Sequence, residues 1–434
     1  MDAIQMFVAV RNTTTALDIR SISSGFGQVF EHTKTILHSA IQNATPSTAS
    51  FRVIPELLDL YDEEPICLAG VGKAALPMAW SVGQICNVVD GIVTVPEGYA
   101  NAPSAQAYLS DGINVIEGNH PTPGKKSQQS VIEVIEKVQS FRAGSSVVVV
   151  ISGGGSSLWG APHPTIPDEL YNRVMDTLAK SALPVDTMNV IRSQLGYLSG
   201  GGLCDLLHGR RVATFVLSDV PVDDISVVAS GPMTHPTGGQ TTRFQSMISE
   251  LGFDWRNIPK RAQGSCSQSE LIKIGDNLLA LEGARTKAEE LGFTVSIRPG
   301  FITGEAREVG KSIAEEITAS TPGTCVVYGG ESVVKVTGRG KGGRNQELAL
   351  SAAIELDKID IAATILAAGT DGIDGPTNAA GAVVNELTCR DAERDAGVHL
   401  ANNNSYNYFL GSDNHIITGP TQTNVMDIAI AVRR

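Results

Sequence analysis

Residues Ser146 to Ser157, SVVVVISGGGSS, decide how this 434-residue chain is read. Ser146 to Ile151 (SVVVVI) reads as an all-apolar strand, so it is covered on both sides, as a central strand of a parallel sheet is. In such sheets ligands bind beyond the carboxyl ends of the strands, which puts Gly153, Gly154, Gly155, Ser156 and Ser157 on the functional edge. The pattern recurs outward. Ile66 to Ala69 runs through Gly70-Val-Gly72 into Lys73, Val88 to Val95 adds a strand, a third ends in Val115-Ile-Glu-Gly-Asn-His-Pro-Thr-Pro-Gly124 with its proline-locked loop, and Val212 to Leu217 runs into Ser218-Asp219-Val220. Apolar strands alternating with helical stretches predict an α/β fold.

Composition narrows the class. With 42% hydrophobic residues, 18% charged residues and 45 glycines, the chain suits an α/β enzyme rich in strand-to-helix turns and not a disordered protein. Its length exceeds what one core supports, so two domains are expected. The polar, turn-rich stretch His235 to Glu270 reads as the linker, dividing the chain into residues 1–255 and 256–434; residues 1 to about 50 read as a helical cover. The net charge of −13 disfavours nucleic acid and anionic membrane as partners, so an anionic substrate needs a local basic pocket. Six scattered cysteines read as free thiols, and no signal peptide or long apolar run appears, which predicts a cytoplasmic protein.

The second half centres on Tyr328 to Leu350, YGGESVVKVTGRGKGGRNQELAL. An apolar strand breaks at Gly329-Gly330 and leaves Glu331 at its end, and Val333 to Val336 resumes a strand pattern. Gly338, Gly340, Gly342 and Gly343 form a loop with Arg339, Lys341 and Arg344, and a helix follows with Asn345 as N-cap. Such a loop either aims backbone N–H groups at an anion or is a solvated basic turn. Other residues keep two readings. Lys73 follows a glycine turn at a helix start and serves an anion site or the surface. His120 holds its proline loop or touches substrate, and Asp219 holds a hard cation or caps a helix. Asp371 and Asp374 are spaced like turn or metal residues. No G-x-G-x-x-G with an acid about 20 residues on occurs in the first βα unit, so a nicotinamide-dependent reductase has little support.

Ten motifs then stand in order: Gly70-Val-Gly-Lys-Ala-Ala75, Gly118-Asn-His-Pro121, Ser152-Gly-Gly-Gly-Ser-Ser157, Asn189-Val-Ile-Arg192, Ser218-Asp-Val220, Ser230-Gly-Pro232, Gly329-Gly-Glu331, Gly342-Gly-Arg-Asn-Gln-Glu347, Gly369-Thr-Asp-Gly-Ile-Asp-Gly375 and Thr418-Gly-Pro-Thr421. Through them the chain, from about residue 20 onward, resembles the glycerate 2-kinase family, whose C-terminal part is the MOFRL domain and whose members are sometimes called hydroxypyruvate reductases. The resemblance implies a larger Rossmann-like N-terminal domain, a smaller α/β C-terminal domain and an active site in the cleft between them. It also implies ATP as phosphoryl donor, Mg2+, and D-glycerate phosphorylated at its 2-hydroxyl. By matching position, Lys73, Asp219, Glu331 and Arg344 are catalytic, with Asp219, Glu331 and Asp371 as metal candidates. Gly153 to Ser157 with Gly342 and Gly343 take nucleotide phosphate, and His120, Asn189 and Arg192 take the substrate. A small hydroxy acid is then the expected partner, and a homodimer is left open.

The chain departs from the family at Gly196 and Ser199, where a serine and a lysine are usual. Either Lys125, Lys126, Arg210 or Lys341 supplies the missing charge, or the chain acts on another carboxylate or phosphorylated substrate. Arg344 is read as lying outside the core, so that its removal changes stability by no more than about 1 kcal/mol.

Overall fold

A computed structural model describes residues 28–50, 65–180, 185–220, 224–258, 269–390 and 394–434. The expected helical cover is a helix at Gln28–Asn43, and residues 1–27 lie outside the described residues. Two compact units are present, each with its own sheet. The first spans Ile41–Gly283 and Gln422–Met426; the second takes Met1–Ala40, Ala284–Thr421 and Asp427–Arg434.

The first unit holds six parallel strands, β1 (Ile66–Val71), β2 (Val88–Pro96), β3 (Ile113–Gly118), β4 (Val147–Ile151), β5 (Val212–Leu217) and β6 (Ser269–Gly275). Their order, β3-β2-β1-β4-β5-β6, is that of a doubly wound sheet. Every residue of β4 is buried, as its unbroken apolar run requires. The helix Lys125–Ser140 lays Val131, Val134 and Val138 on the core that holds Val149, Leu158 and Trp159. Each such burial contributes about 1.5–3 kcal/mol relative to exposure. Trp159 donates its indole N–H to Thr94 Oγ1 at 2.9 Å, so the buried indole has its polar atom paired.

The domain boundary differs from the expected 255/256. β6 pairs with β5 (Thr214 opposite Leu271), which puts it in the first sheet and moves the division to Gly283/Ala284. The stretch read as a linker contains a helix, Gly238–Glu250, opened by a reciprocal Thr237/Gln240 capping box. Phe244 and Ile248, one turn apart on it, are buried with Tyr171, Val174, Ile191 and Leu195 in a separate helical cluster. Two apolar residues among polar neighbours are a weak sequence signal but a sufficient packing stripe.

The second unit has a mixed sheet of β7 (Thr294–Ile302), β8 (Thr324–Gly330), β9 (Ala363–Gly369), β10 (Gly381–Asn385), β11 (His415–Ile416) and β12 (Asp427–Arg433), in the order β11-β10-β9-β12-β8-β7. β12 runs antiparallel between β8 and β9, setting Ala429 against Tyr328 and Ala367. The helices Ala306–Ala319 and Arg344–Ile359 cover one face, where Ile313, Ile317, Leu348 and Leu356 meet Val326, Ile365 and Ala431. Val333 to Val336 forms no strand; Val333 makes a single bridge to Glu305. Cys67, Cys86, Cys325 and Cys389 are free thiols, whereas Cys204 is disulfide-bonded, against the expectation of six free thiols. Among the described residues no helix is long and apolar enough to cross a membrane.

Candidate active site

In the parallel sheet the strand order reverses between β1 and β4, the position at which doubly wound folds bind ligands. The loops leaving those two strands are tied together: the Lys73 N–H donates to the Gly153 carbonyl at 2.9 Å and the Ala74 N–H to Ser152 Oγ at 3.0 Å. The helix these residues precede, Ala75–Gly83, therefore starts with the Lys73 and Ala74 backbone donors already engaged. Gly154 takes a left-handed φ of 89°. A Cβ there would lie 3.3 Å from His120 Nε2 and 3.4 Å from Lys73 Cγ, so lysine, histidine and glycine loop converge. Among the described residues, the N–H groups of Gly153 and Gly154 meet no protein acceptor.

Asp219 follows β5 and rests on Gly153, where a Cβ would stand 1.8 Å from its Oδ2. Asn424, which the sequence reading missed, donates its side-chain N–H to the same oxygen at 3.1 Å. Ser156 and Ser230 are hydrogen-bonded hydroxyl to hydroxyl at 2.7 Å with Asn189 Oδ1 at 3.4 and 3.3 Å from them, so one hydroxyl donates to the other and the second donates to Asn189. Ser157 donates to the Pro121 carbonyl. The two serine hydroxyls expected at phosphate are thus held within the protein. Arg192 lies one turn after Asn189; its buried Nε has no hydrogen-bond partner, and burial pushes its pKa down, partly offset by Tyr171. A desolvated cation of this kind is stabilised by an arriving anion.

Ser199 is buried, 4% exposed, with its Oγ 2.8 Å from where a Gly196 Cβ would be. Three of the four side chains expected to replace the usual lysine are engaged elsewhere. Lys126 pairs with Glu97 at 2.7 Å, Arg210 donates to the carbonyls of Phe141 and Arg142 at 2.8 Å, and Lys341 sits over the Tyr406 ring in the second unit.

In the mixed-sheet unit Arg344 opens its helix and spreads its guanidinium over two carboxylates. It contacts both oxygens of Asp427, at 2.5 and 2.9 Å, and Glu331 Oε1 at 2.6 Å. Burial works against the charged guanidinium, but Asp427 and Glu331 outweigh it and hold its pKa well above the ordinary value. Asp427 was not foreseen; an acid at the start of the apolar strand β12 was its only signal. Asn345 is not the N-cap, which is Gly343. The carboxylate of Asp374 takes the N–H groups of Asn345 and Gln346 at 3.1 and 2.9 Å, so the helix start already holds an internal anion.

The glycine loop is likewise occupied by the protein. Asn403 Oδ1 accepts from the N–H groups of Thr337 and Gly338 at 2.8 and 2.9 Å, Asn402 Oδ1 from Arg339 and Asn404 Oδ1 from Lys341, each at 3.0 Å. Glycine is needed there for close approach: a Cβ on Gly338 would lie 2.3 Å from the Asn402 carbonyl, and one on Gly342 2.3 Å from Ser405 Oγ. Asn403 Nδ2 also donates to Glu347 Oε2 at 3.0 Å, and Arg307 holds the other oxygen at 2.7 Å. Removing Asn403 leaves the buried Glu347 carboxylate oxygen and two half-buried N–H groups, of Thr337 and Gly338, short of a partner. We expect Asn403→Ala to cost about 2–3 kcal/mol in urea unfolding; a loss below about 0.5 kcal/mol would show that the loop holds without the clamp.

Asp374 is 2% exposed, and burial pushes its carboxyl up to about 6, although the Gln346 and Asn345 N–H groups pull it down. A folded pKa above the unfolded value means that the stability it contributes is complete below about pH 4 and is lost as pH rises through 6. Relative to Asp374→Asn, the parent should therefore lose about 2–3 kcal/mol between pH 4 and 7. A pH-independent difference between the two unfolding free energies would contradict this.

Glu331 is ion-paired to Arg344, and Asp371 Oδ1 accepts the Ile373 N–H at 3.0 Å. Among the described residues no group of three or more His, Cys, Asp or Glu is placed to hold a metal ion. Mg2+ needs no such cage, since one or two carboxylates plus substrate phosphates suffice, and Asp219 fits that minimal role.

Residues 32–263 match a domain of unknown function (DUF4147), and residues 324–427 match the MOFRL family. The chain is 32% identical to D-glycerate 2-kinase of Thermotoga maritima over 93% of this chain and 99% of that protein. It is 31% identical to glycerate 2-kinase of Pyrococcus horikoshii, over 96% and 98%. An Agrobacterium vitis protein provisionally named hydroxypyruvate reductase is 35% identical over 83% and 97%. The crystal structure of the T. maritima glycerate kinase aligns with a TM-score of 0.77 at 31% identity, covering 94% of this chain and 99% of that one.

Proposed function

Because the chain belongs to the glycerate 2-kinase family with a C-terminal MOFRL domain, phosphotransferases with an alcohol acceptor, we propose that it transfers the γ-phosphoryl group of ATP to the 2-hydroxyl of D-glycerate, giving 2-phospho-D-glycerate. The observation that carries this reading is the meeting of Lys73, His120 and the open N–H groups of Gly153 and Gly154 where the parallel strand order reverses. Phosphoryl transfer depends on positioning and charge neutralisation, which a lysine and two convergent backbone donors supply.

Within this proposal Lys73 binds the transferring phosphate, and Gly153 and Gly154 orient its oxygens. Asp219 holds Mg2+ or accepts the proton of the substrate hydroxyl. MgATP, when bound, supplies the phosphoryl group and much of the neutralising charge. Arg192, with its unpartnered buried Nε, takes the substrate carboxylate beside Asn189. Arg344 orders Glu331 and Asp427 rather than gripping an anion with the helix start, because Asp374 occupies that position. The same reading places the reaction in the cytoplasm.

Incubation with ATP, Mg2+ and a panel of C3 and C4 hydroxy acids should release ADP fastest with D-glycerate. A faster rate with another acid would favour the second reading, a diverged substrate, which the buried Ser199 in place of a lysine supports. Loss of NADH absorbance with hydroxypyruvate, without ADP release, would replace the kinase reading by a reductase.

A further inference from the structure

We propose that Asn424 is a positioning residue that fixes the Asp219 carboxylate for the reaction, an inference that rests on the kinase reading of Asp219. Gln422–Met426 packs with the parallel-sheet unit although the chain on either side of it belongs to the other unit. Its ends, Gln422 and Met426, both take left-handed φ, 63° and 67°, a conformation that non-glycine residues adopt only when the surroundings impose it. The segment is anchored on both sides of Asn424. Thr423 Oγ1 donates to the Ala44 carbonyl at 2.7 Å, and Asn277 Nδ2 donates to the Val425 carbonyl at 2.6 Å. The backbone at residue 424 is therefore held without help from its own side chain.

That side chain, in a residue 7% exposed, reaches Asp219. Its N–H on Oδ2, with the bare backbone of Gly153 beneath the same oxygen, draws that side of the carboxylate onto the Gly153 turn. A charge-assisted bond of this kind favours one orientation of a carboxylate set on a strand-end loop. A scaffold role predicts a different response to substitution, because the anchors at Thr423 and Val425 survive in any Asn424 variant.

The test uses the full chain. Asn424→Ala should lower kcat by about 10–30-fold with KM for D-glycerate within about twofold, since the group it orients acts in the chemical step. Asn424→Asp keeps the shape but sets a second carboxylate against Asp219, so it should fall further; a packing role would make it the milder change. On an Asp219→Asn background, Asn424→Ala should add less than about twofold. The crystal structure of Asn424→Ala should show the Asp219 carboxylate turned away from Gly153, and this readout needs no activity. An unmoved Asp219 in that structure, or full additivity of the two substitutions, overturns the proposal. A parent chain inert towards every hydroxy acid would instead remove the kinase reading, and the crystal structure alone would then decide whether Asn424 orders Asp219.

Discussion

Arg344→Ala is expected to cost about 2–4 kcal/mol of stability and to remove most of the activity. The stability figure follows from what the guanidinium leaves behind. Asp427, whose side chain is 5% exposed, loses a two-point partner, and Glu331 loses its ion pair. Breaking a buried pair costs about 3–5 kcal/mol; since 35% of the Arg344 side chain reaches solvent, the lower part of that range and somewhat below is appropriate. The sequence alone put this residue outside the core with a cost within about 1 kcal/mol, and its three contacts overturn that expectation. Arg344→Lys keeps the charge but cannot present two N–H groups to Asp427 and a third contact to Glu331 together. It should lower kcat/KM tenfold or more, about 1.4 kcal/mol. Urea unfolding and steady-state kinetics check both variants. An alanine variant that unfolds at the parent's midpoint would show that the acids relax into solvent at little cost.

The second large effect is expected at Gly153. An added methyl would lie 1.8 Å from Asp219 Oδ2 and 2.2 Å from Asn424 Nδ2, so one of the pair must leave. The backbone there is not in the left-handed region, which makes collision rather than strain the cause. Gly153→Ala should lower kcat about 100-fold, or ~2.7 kcal/mol, and cost about 1–3 kcal/mol of stability from overpacking. Gly83→Ala serves as the comparison. It lies at the end of a helix with nothing within 4 Å of the added atom, and should be neutral or stabilising by up to about 1 kcal/mol. If the two alanine variants turn over alike, Asp219 does not take part from the position it occupies beside Gly153.

By itself the sequence determined the α/β class, the central place of β4 and the strand ends from which Lys73, Gly153, Asp219 and Glu331 emerge. These follow from local rules: an all-apolar run must be covered, and glycine after it marks a turn. Only the tertiary structure decided what those residues touch. β6 joins the first sheet because its partner, β5, is about fifty residues away, a distance no linker composition reveals. The loop glycines face Asn402, Asn403 and Asn404, some sixty residues downstream, and the helix start at Arg344 faces Asp374. A buried backbone donor must find an acceptor, but the chain order does not say whether a ligand or a distant side chain provides it. Asn424 and Asp427 belong to the same class. Each is a single polar residue near an apolar strand, and its role exists only through a carboxylate or guanidinium that folding brings beside it.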